Sequence, residues 1–341
     1  MKTNLIGIDL AKNVFQVCAL NRAGKVQSNT EISRARLMHH LASYEPTIVA
    51  MESCSSAHYW ARRMQSLGHE IRLLPAQHVK PFVRGGKNDA RDALAICEAA
   101  LRPGLHCVPI KSLAQQDLQA LHRSRLLCVR QSTAIANQIR GIAREYGVCF
   151  AMGINAVLKN LPTALAATDN ELTPTVRELL FERYQLLLQL RQQIDTLSRR
   201  ITQQASTEPA FARLQAMPGI GPISASALLA AIGHGQQFSC GRQVSAWLGL
   251  VPRQHGSGGK LQLQGMTKSG DRYLRTMLIH GARAAITCGK DKSSPLQRWI
   301  KPVIARRGFN KAVVALANKN ARIGWLIIAR DAQYDPGKAF G

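Results

Sequence analysis

The order of hydrophobic periods in the first 75 residues constrains this chain more than any other feature. "NLIGIDLA" (4–11) and "VFQVCAL" (14–20) read as strands, and "GKVQSNTEI" (24–32) continues them as a meander through the turn "NRAGK". "RARLMHHLASY" (34–44) has helical spacing, and "PTIVAMES" (46–53) is a short apolar strand with Glu52 at its end. "HYWARRMQSLG" (58–68) is a helix closed by Gly68, and "EIRLLP" (70–75) is a further strand.

Three meander strands followed by helix–strand–helix–strand is the order of an RNase H-like α/β domain, expected over residues 1–110. In that frame Asp9 lies inside the first strand, between "LIGI" and "LA", where an ionised carboxylate is costly unless something compensates it. Glu52 stands at the end of the fourth strand. The stretch "GGKNDARDALAICEA" (85–99) supplies two more acids. With Asn88 as N-cap, Asp89 and Asp92 fall in the first turn of a helix and share nearly one face. Ala90, Leu94, Cys97 and Leu101 form the adjacent apolar stripe, expected to dock on the sheet. Four carboxylates at one point repel unless cations hold them. Two divalent ions about 3.5–4 Å apart, clamping the attacking and leaving oxygens of a phosphodiester, are the usual solution. The plainer alternative has Asp89 and Asp92 pairing with Lys87 and Arg91 at a helix start.

Charge names the class of partner. The chain of 341 residues has 45 Lys plus Arg against 20 Asp plus Glu, a net charge of +25. Such a surface favours a polyanion, with counterion release supplying much of the affinity. A membrane surface is not expected, because no Lys/Arg-rich amphipathic terminal helix and no run of about 18 apolar residues is present. The N-terminal "MKTNLIGIDLAK" reaches a carboxylate at Asp9, which does not suit a signal peptide. The eight cysteines include no C-x-x-C pair, which argues against a zinc ribbon or a disulfide framework and for a reduced, cytoplasmic protein. Residues 208–341 hold 19 basic and 5 acidic side chains, making this third the main polyanion-binding surface. With only Asp271 and Asp291 between 209 and 330, it is too poor in acids to hold a hard cation alone.

Residues 111–207 are expected to form a helical coiled-coil linker of two long helices, 113–146 and 172–204. In the second, Val176, Leu180, Arg183, Leu187, Leu190, Ile194, Leu197 and Ile201 alternate at spacings of four and three. In the first, Leu121, Cys128, Ile135 and Ile142 recur every seven residues, while Arg125 and Ser132 interrupt the companion positions. Either the two helices pair within one chain or the arm joins two protomers.

The third region, 208–341, reads as mainly α-helical. "MPGIGPISASALLAAIG" (217–233) matches a helix–hairpin–helix element, whose Gly219 and Gly221 amides can approach a phosphate. "HGSGGK" (255–260) is no P-loop, since Gln254 stands where Gly is required and Leu261 follows the lysine. It does offer Ser257 on a glycine loop beside Arg253, His255 and Lys260, where cations would hold a phosphate and favour the alkoxide. Ser269 in "TKSGD" is the alternative serine. Lys268, Arg272 and Arg275 complete the cations expected to face nucleic acid.

"GIDLAK", "MES", "KNDARDA", "PGIGPISA" and "GLVPRQHGSGG", in this order from residue 4 to about 325, resemble the DEDD-type transposases of insertion sequences, the IS110 and IS1111 group. The resemblance implies a RuvC-like N-terminal domain, a coiled-coil linker and a C-terminal transposase domain with a nucleophilic serine. It implies Asp9, Glu52, Asp89 and Asp92 as ligands of Mg2+ (two ions, or Mn2+ in their place) and Ser257 as the nucleophile. It further implies donor and target DNA, an element-encoded guide (bridge or seek) RNA, homodimers or homotetramers, and a bacterial, nucleoid-associated location. Two rival functions use the same residues: a RuvC-like endonuclease with metal-activated water, and a non-catalytic nucleic-acid-binding scaffold.

Overall fold

The early strands are apolar on both sides because both faces of their sheet are covered. In β1 (Thr3–Asp9) and β2 (Val14–Asn21), Ile6, Ile8, Phe15, Val17 and Ala19 enter one buried cluster, while Leu5, Cys18 and Leu20 enter another. The computed structural model describes residues 3–340 except 84, 87, 290 and 292, with Leu261 described by its backbone alone. The chain divides into two compact units, Met1–Ser112 and Leu113–Gly341.

In the first unit the meander closes with β3 (Val26–Ser33), followed by α1 (Leu37–Ala42), β4 (Ile48–Glu52), α2 (Ala57–Gln65) and β5 (Glu70–Leu74). The five strands lie in the order β3–β2–β1–β4–β5. The meander pairs are antiparallel, whereas β4 runs parallel to both β1 and β5. Helices α1 and α2 cover one face, with Leu37, Leu41, Trp60 and Met64 buried against the sheet. The other face takes α4 (Asp89–Ala100), which follows a short α3 (Ala76–Val79) and a 3-10 turn, Lys80–Phe82.

Asn88 caps α4 as expected, its Oδ1 accepting the Ala90 N–H. The docking face differs from the expected stripe. Ala93, Ile96, Cys97 and Ala100 are buried, while Leu101 lies past the helix end and is half exposed. Backbone proximity decides this: a Cβ on Gly7 would overlap Cys97 Sγ and crowd the Ala93 carbonyl at 2.6 Å. A small-residue face brings the helix closer to the sheet than a leucine stripe allows.

The second unit opens with α5 (Leu113–Glu145), α6 (Ile154–Ala166) and α7 (Pro174–Ala205). α5 and α7 pair antiparallel within the chain, as Arg125 Nε donating to Ser198 Oγ at 2.7 Å and Cys128 Sγ to Gln193 Oε1 at 3.5 Å show. Arg125 and Ser132 do not interrupt the seam; Ser132 is buried in it and Arg125 bonds across it. The far end of this pair has a core of its own, with Ile139, Ala143, Val157, Leu161, Val176 and Leu180. The near end enters the C-terminal core through Leu118 and Ala205.

That core is built by α8 (Pro209–Gln215), α9 (Pro222–Ile232), α10 (Gly241–Trp247), α11 (Arg272–Thr287), α12 (Pro295–Arg307), α13 (Phe309–Ala329) and α14 (Pro336–Phe340). α13 has the length and hydropathy of a membrane span, yet it buries Val313, Leu316, Ala317, Ala321 and Ile327 in this core. One element departs from the helical expectation. β6 (Pro252–Ser257) and β7 (Lys260–Met266) form a two-stranded hairpin.

Candidate metal centre and serine hairpin

Three elements deliver the acids. β1 ends on Asp9, β4 ends on Glu52, and the parallel register that sets Ile8 beside Met51, continued by one residue, brings the two together. α4 begins with Asp89 and Asp92, and its close approach at Gly7 lowers that first turn onto the strand ends. Carboxylate oxygens of Asp9, Asp89 and Asp92 all lie within 4.8 Å of one another. Asp9, Glu52 and Asp92 line one cleft of about 330 Å³, together with Gln77, Lys80 and Ile96. Burial, and then the neighbouring Asp92 carboxylate, raise the Glu52 pKa above the usual glutamate value. The donor set is all oxygen, which suits a hard divalent ion such as magnesium or manganese. Lys87, on which the plain ion-pair reading partly relies, lies outside the described residues; Arg91 has its guanidinium directed toward Gly85.

Ser257 sits in the second unit as the last residue of β6, at a two-residue turn. Gly258 and Gly259 have φ of 55° and 78°, the left-handed pair of a type I′ hairpin. Every residue from Pro252 to Gly265 with a described side chain is exposed. The hydroxyl therefore stands at the tip of an open ribbon. Ser269 has a different setting. Its Oγ lies 3.1 Å from Thr267 Oγ1 and 3.5 Å from the Ala246 carbonyl, and Arg275 Nη1 donates to its carbonyl at 2.5 Å. Its neighbour Gly270 touches the Trp247 carbonyl so closely that no Cβ fits. The backbone of that loop is packed, and the tip of the hairpin is open.

The expected nucleic-acid cations separate in the same way. Arg253, Lys260, Lys268 and Arg272 are exposed. Arg275 is 8% exposed and donates to the Leu248 and Ser269 carbonyls, so its charge is used inside the unit. Gly219 has φ of 78° and lies against Gly281 so closely that a Cβ on either would overlap the other's carbonyl. Asn320 Nδ2 holds the preceding Pro218 carbonyl at 2.9 Å. Gly219 thus serves the crossing of this turn with α11. Gly221 is open, with nothing within 4 Å of a Cβ, and its N–H donates to Ser224 Oγ.

Several residues at the acid cleft escaped the sequence reading. Gln77 and Lys80 come from the short helical segment after β5. Gln16 and Asn29 face α4 beside Asp9, with Glu31 and Asp89 lining the same recess. The available signal was Gln16 itself, a polar residue in the otherwise apolar "VFQVCAL".

Comparison with known proteins gives the family. Residues 6–148 match a transposase family of the DEDD, IS110 type, and residues 211–297 match the family described as Transposase IS116/IS110/IS902. The chain is 46% identical over 338 residues to a probable family 20 transposase of Pseudomonas aeruginosa, covering 99% of this chain and 100% of that one. It is 41% identical over 333 residues to the transposase for insertion sequence element IS1111A of Coxiella burnetii, covering 98% and 92%. A pilin gene-inverting protein of Moraxella bovis is 21% identical over 355 residues, covering 98% of each.

Proposed function

Because the chain belongs to the IS110 family of DEDD transposases, and so is a DNA transposase, we propose that it works as an RNA-guided recombinase of an insertion sequence through Asp9, Glu52, Asp89, Asp92 and Ser257. The observation that carries this reading is the meeting of acids from two adjacent parallel strands and one helix start. The strand order supports an RNase H-like, RuvC-like assignment for the first unit. The paired α5 and α7 support a coiled-coil arm within the chain, the homodimer or homotetramer follows from the family likeness, and the α8–α9 turn supports a helix–hairpin–helix.

The residues divide the work. Asp9, Glu52, Asp89 and Asp92 hold magnesium, which supplies Lewis-acid polarisation of the scissile phosphate when bound. Ser257 Oγ attacks phosphorus and the P–O3′ bond breaks, leaving a phosphoserine and a free 3′-hydroxyl; the serine proton ends on the departing O3′. The 3′-hydroxyl of the exchanged strand then attacks the other phosphoserine, returning the proton to Ser257. The ester stores the bond energy, so no nucleotide hydrolysis is needed. Lys80 and Gln77 are placed to meet a phosphate entering the acid cleft. The +25 charge and the exposed cations around the hairpin support donor and target DNA as partners. The guide RNA follows from the family likeness, and inversion of a DNA segment, which the Moraxella relative's name describes, needs the same cut-and-rejoin step.

The deciding experiment traps the adduct. Cognate DNA and the element's guide RNA are incubated with the protein and magnesium, then denatured and resolved. The wild type gives a protein–DNA ester, and Ser257→Ala loses it together with roughly four orders of magnitude in strand-exchange rate. Cleavage retained in Ser257→Ala without any adduct would show that water is the nucleophile. Absence of breakage with every divalent cation would leave only a binding scaffold.

A further inference from the structure

Asp89 and Asp92 act with Asp9 only if the first turn of α4 is held down against their mutual repulsion. Ala90, one residue from Asp89, is gripped at both ends. Its N–H donates to Asn88 Oδ1 at 2.9 Å, and its carbonyl accepts from Asn29 Nδ2 of β3 at 2.8 Å. Asn29 Oδ1 in turn accepts from Gln16 Nε2 at 2.7 Å. Gln16 is 7% exposed and is the register partner of Asp9 on one side and Glu31 on the other. The direction of this chain is forced. A carbonyl only accepts, so Asn29 must present its amide nitrogen to Ala90 and its oxygen to Gln16, which must answer with its own nitrogen.

We infer that Gln16 and Asn29 are positioning residues for the acid centre, acting through Ala90 to set Asp89 and Asp92 over the end of β1. The role rests on the reading of the acids as metal ligands. Partners behind a ligand set commonly govern its affinity by about 10–100-fold, and here they hold a helix start rather than a single side chain.

The test uses the full chain and manganese as probe, with free Mn2+ followed by electron paramagnetic resonance. Amide exchange over residues 89–96 is measured on the metal-free protein. Asn29→Ala is expected to weaken Mn2+ binding by about 10–100-fold and to speed exchange in the first turns of α4, with β1 and β4 unchanged. Gln16→Glu is nearly isosteric but accepts only, so it turns the Asn29 amide and sets oxygen against the Ala90 carbonyl. Electrostatics alone would make this added carboxylate tighten cation binding, whereas the clamp predicts weaker binding. Wild-type affinity in Asn29→Ala, or tighter binding in Gln16→Glu, overturns the proposal. If wild type and Asp9→Ala bind Mn2+ alike, the metal reading itself fails and takes this role with it. If only Asp9→Ala loses binding, the clamp alone falls.

Discussion

Glu52 holds its proton more tightly than an ordinary glutamate, chiefly through burial and then through Asp92. A folded-state pKa raised above the unfolded value means that ionised Glu52 costs stability once pH exceeds that raised value; the cost vanishes below the ordinary value of 4.5. Glu52→Gln is therefore expected to raise the melting temperature of the metal-free protein at about pH 7 and to change it little near pH 4. Divalent cations should stabilise the wild type and not this variant. Because the cation competes with that proton, the stabilisation should fade on acidification from a pH above 4.5. Thermal denaturation across pH, with and without Mn2+, reads all of these effects. At this scale the four acids were legible because Asp9 and Glu52 follow apolar strand runs and Asp89 and Asp92 share a helix start, although Asp9, expected inside the first strand, is its last residue. Gln16 and Asn29 were not: their hydrogen bonds join residues 13 and 61 positions apart, which no local pattern encodes. Arg275 misled for the same reason, since a cation bonding distant carbonyls looks in sequence like its exposed neighbours.

Among the elements, the serine hairpin was hidden by composition. "PRQHGS" has no apolar face, so nothing in it alternates toward a core, and only the Gly258–Gly259 pair marks the turn. Both glycines need positive φ, which costs a branched residue roughly 1–2 kcal/mol. Gly258→Asn is expected to keep recombination near wild type, and Gly258→Val to lower it by roughly 10-fold; strand-exchange rates compare them. A buried relay joins α5 to α9 and α11. Tyr273 Oη lies 2.9 Å from His122 Nδ1, and His122 Nε2 lies 3.0 Å from Ser226 Oγ, which itself donates to the Ile223 carbonyl. Ser226 must therefore accept, so neutral His122 carries its proton on Nε2. Burial first, then Arg125, lowers its pKa to about 4. Between the ordinary value of 6.5 and about 4 the unfolded chain binds a proton that the folded chain refuses, so stability drops as pH falls through that window. His122→Leu should flatten this part of the melting-temperature profile while lowering stability at neutral pH. The long helices and the meander were read almost to the residue, because periodicity is strongest there.

For the whole molecule, charge sets the terms of binding. A protein that neutralises 6–10 phosphates loses about 10³–10⁵-fold in affinity between roughly 50 and 200 mM salt, and a net charge of +25 leads to the expectation of a steep salt dependence here. Replacing Arg253, Lys260, Lys268 and Arg272 together by Ala should reduce the log–log salt slope by about three to four. Arg275→Ala should instead lower the melting temperature with little change in slope, because that cation is spent on carbonyls. The acids lie in Met1–Ser112 and the serine in Leu113–Gly341. If one protomer's acids serve another's serine, mixing Asp9→Ala and Ser257→Ala proteins restores part of the activity that each has lost; complete failure of the mixture rejects that sharing. The charge and the acids were visible in the linear chain, whereas the packing of the α5–α7 base into the C-terminal core depends on Leu118 and Ala205 meeting distant helices.

Of its described side chains the ribbon bearing Ser257 shelters only Met266, at its base against the C-terminal core, and a lone pair of strands is barely stable in water. Its rigidity must come from whatever surface it lies upon. If Ser257 is the nucleophile, a hydroxyl mounted this way would gain a fixed aim only after a duplex or a sister subunit braces it, and stray breaks in the host chromosome would be rarer for it.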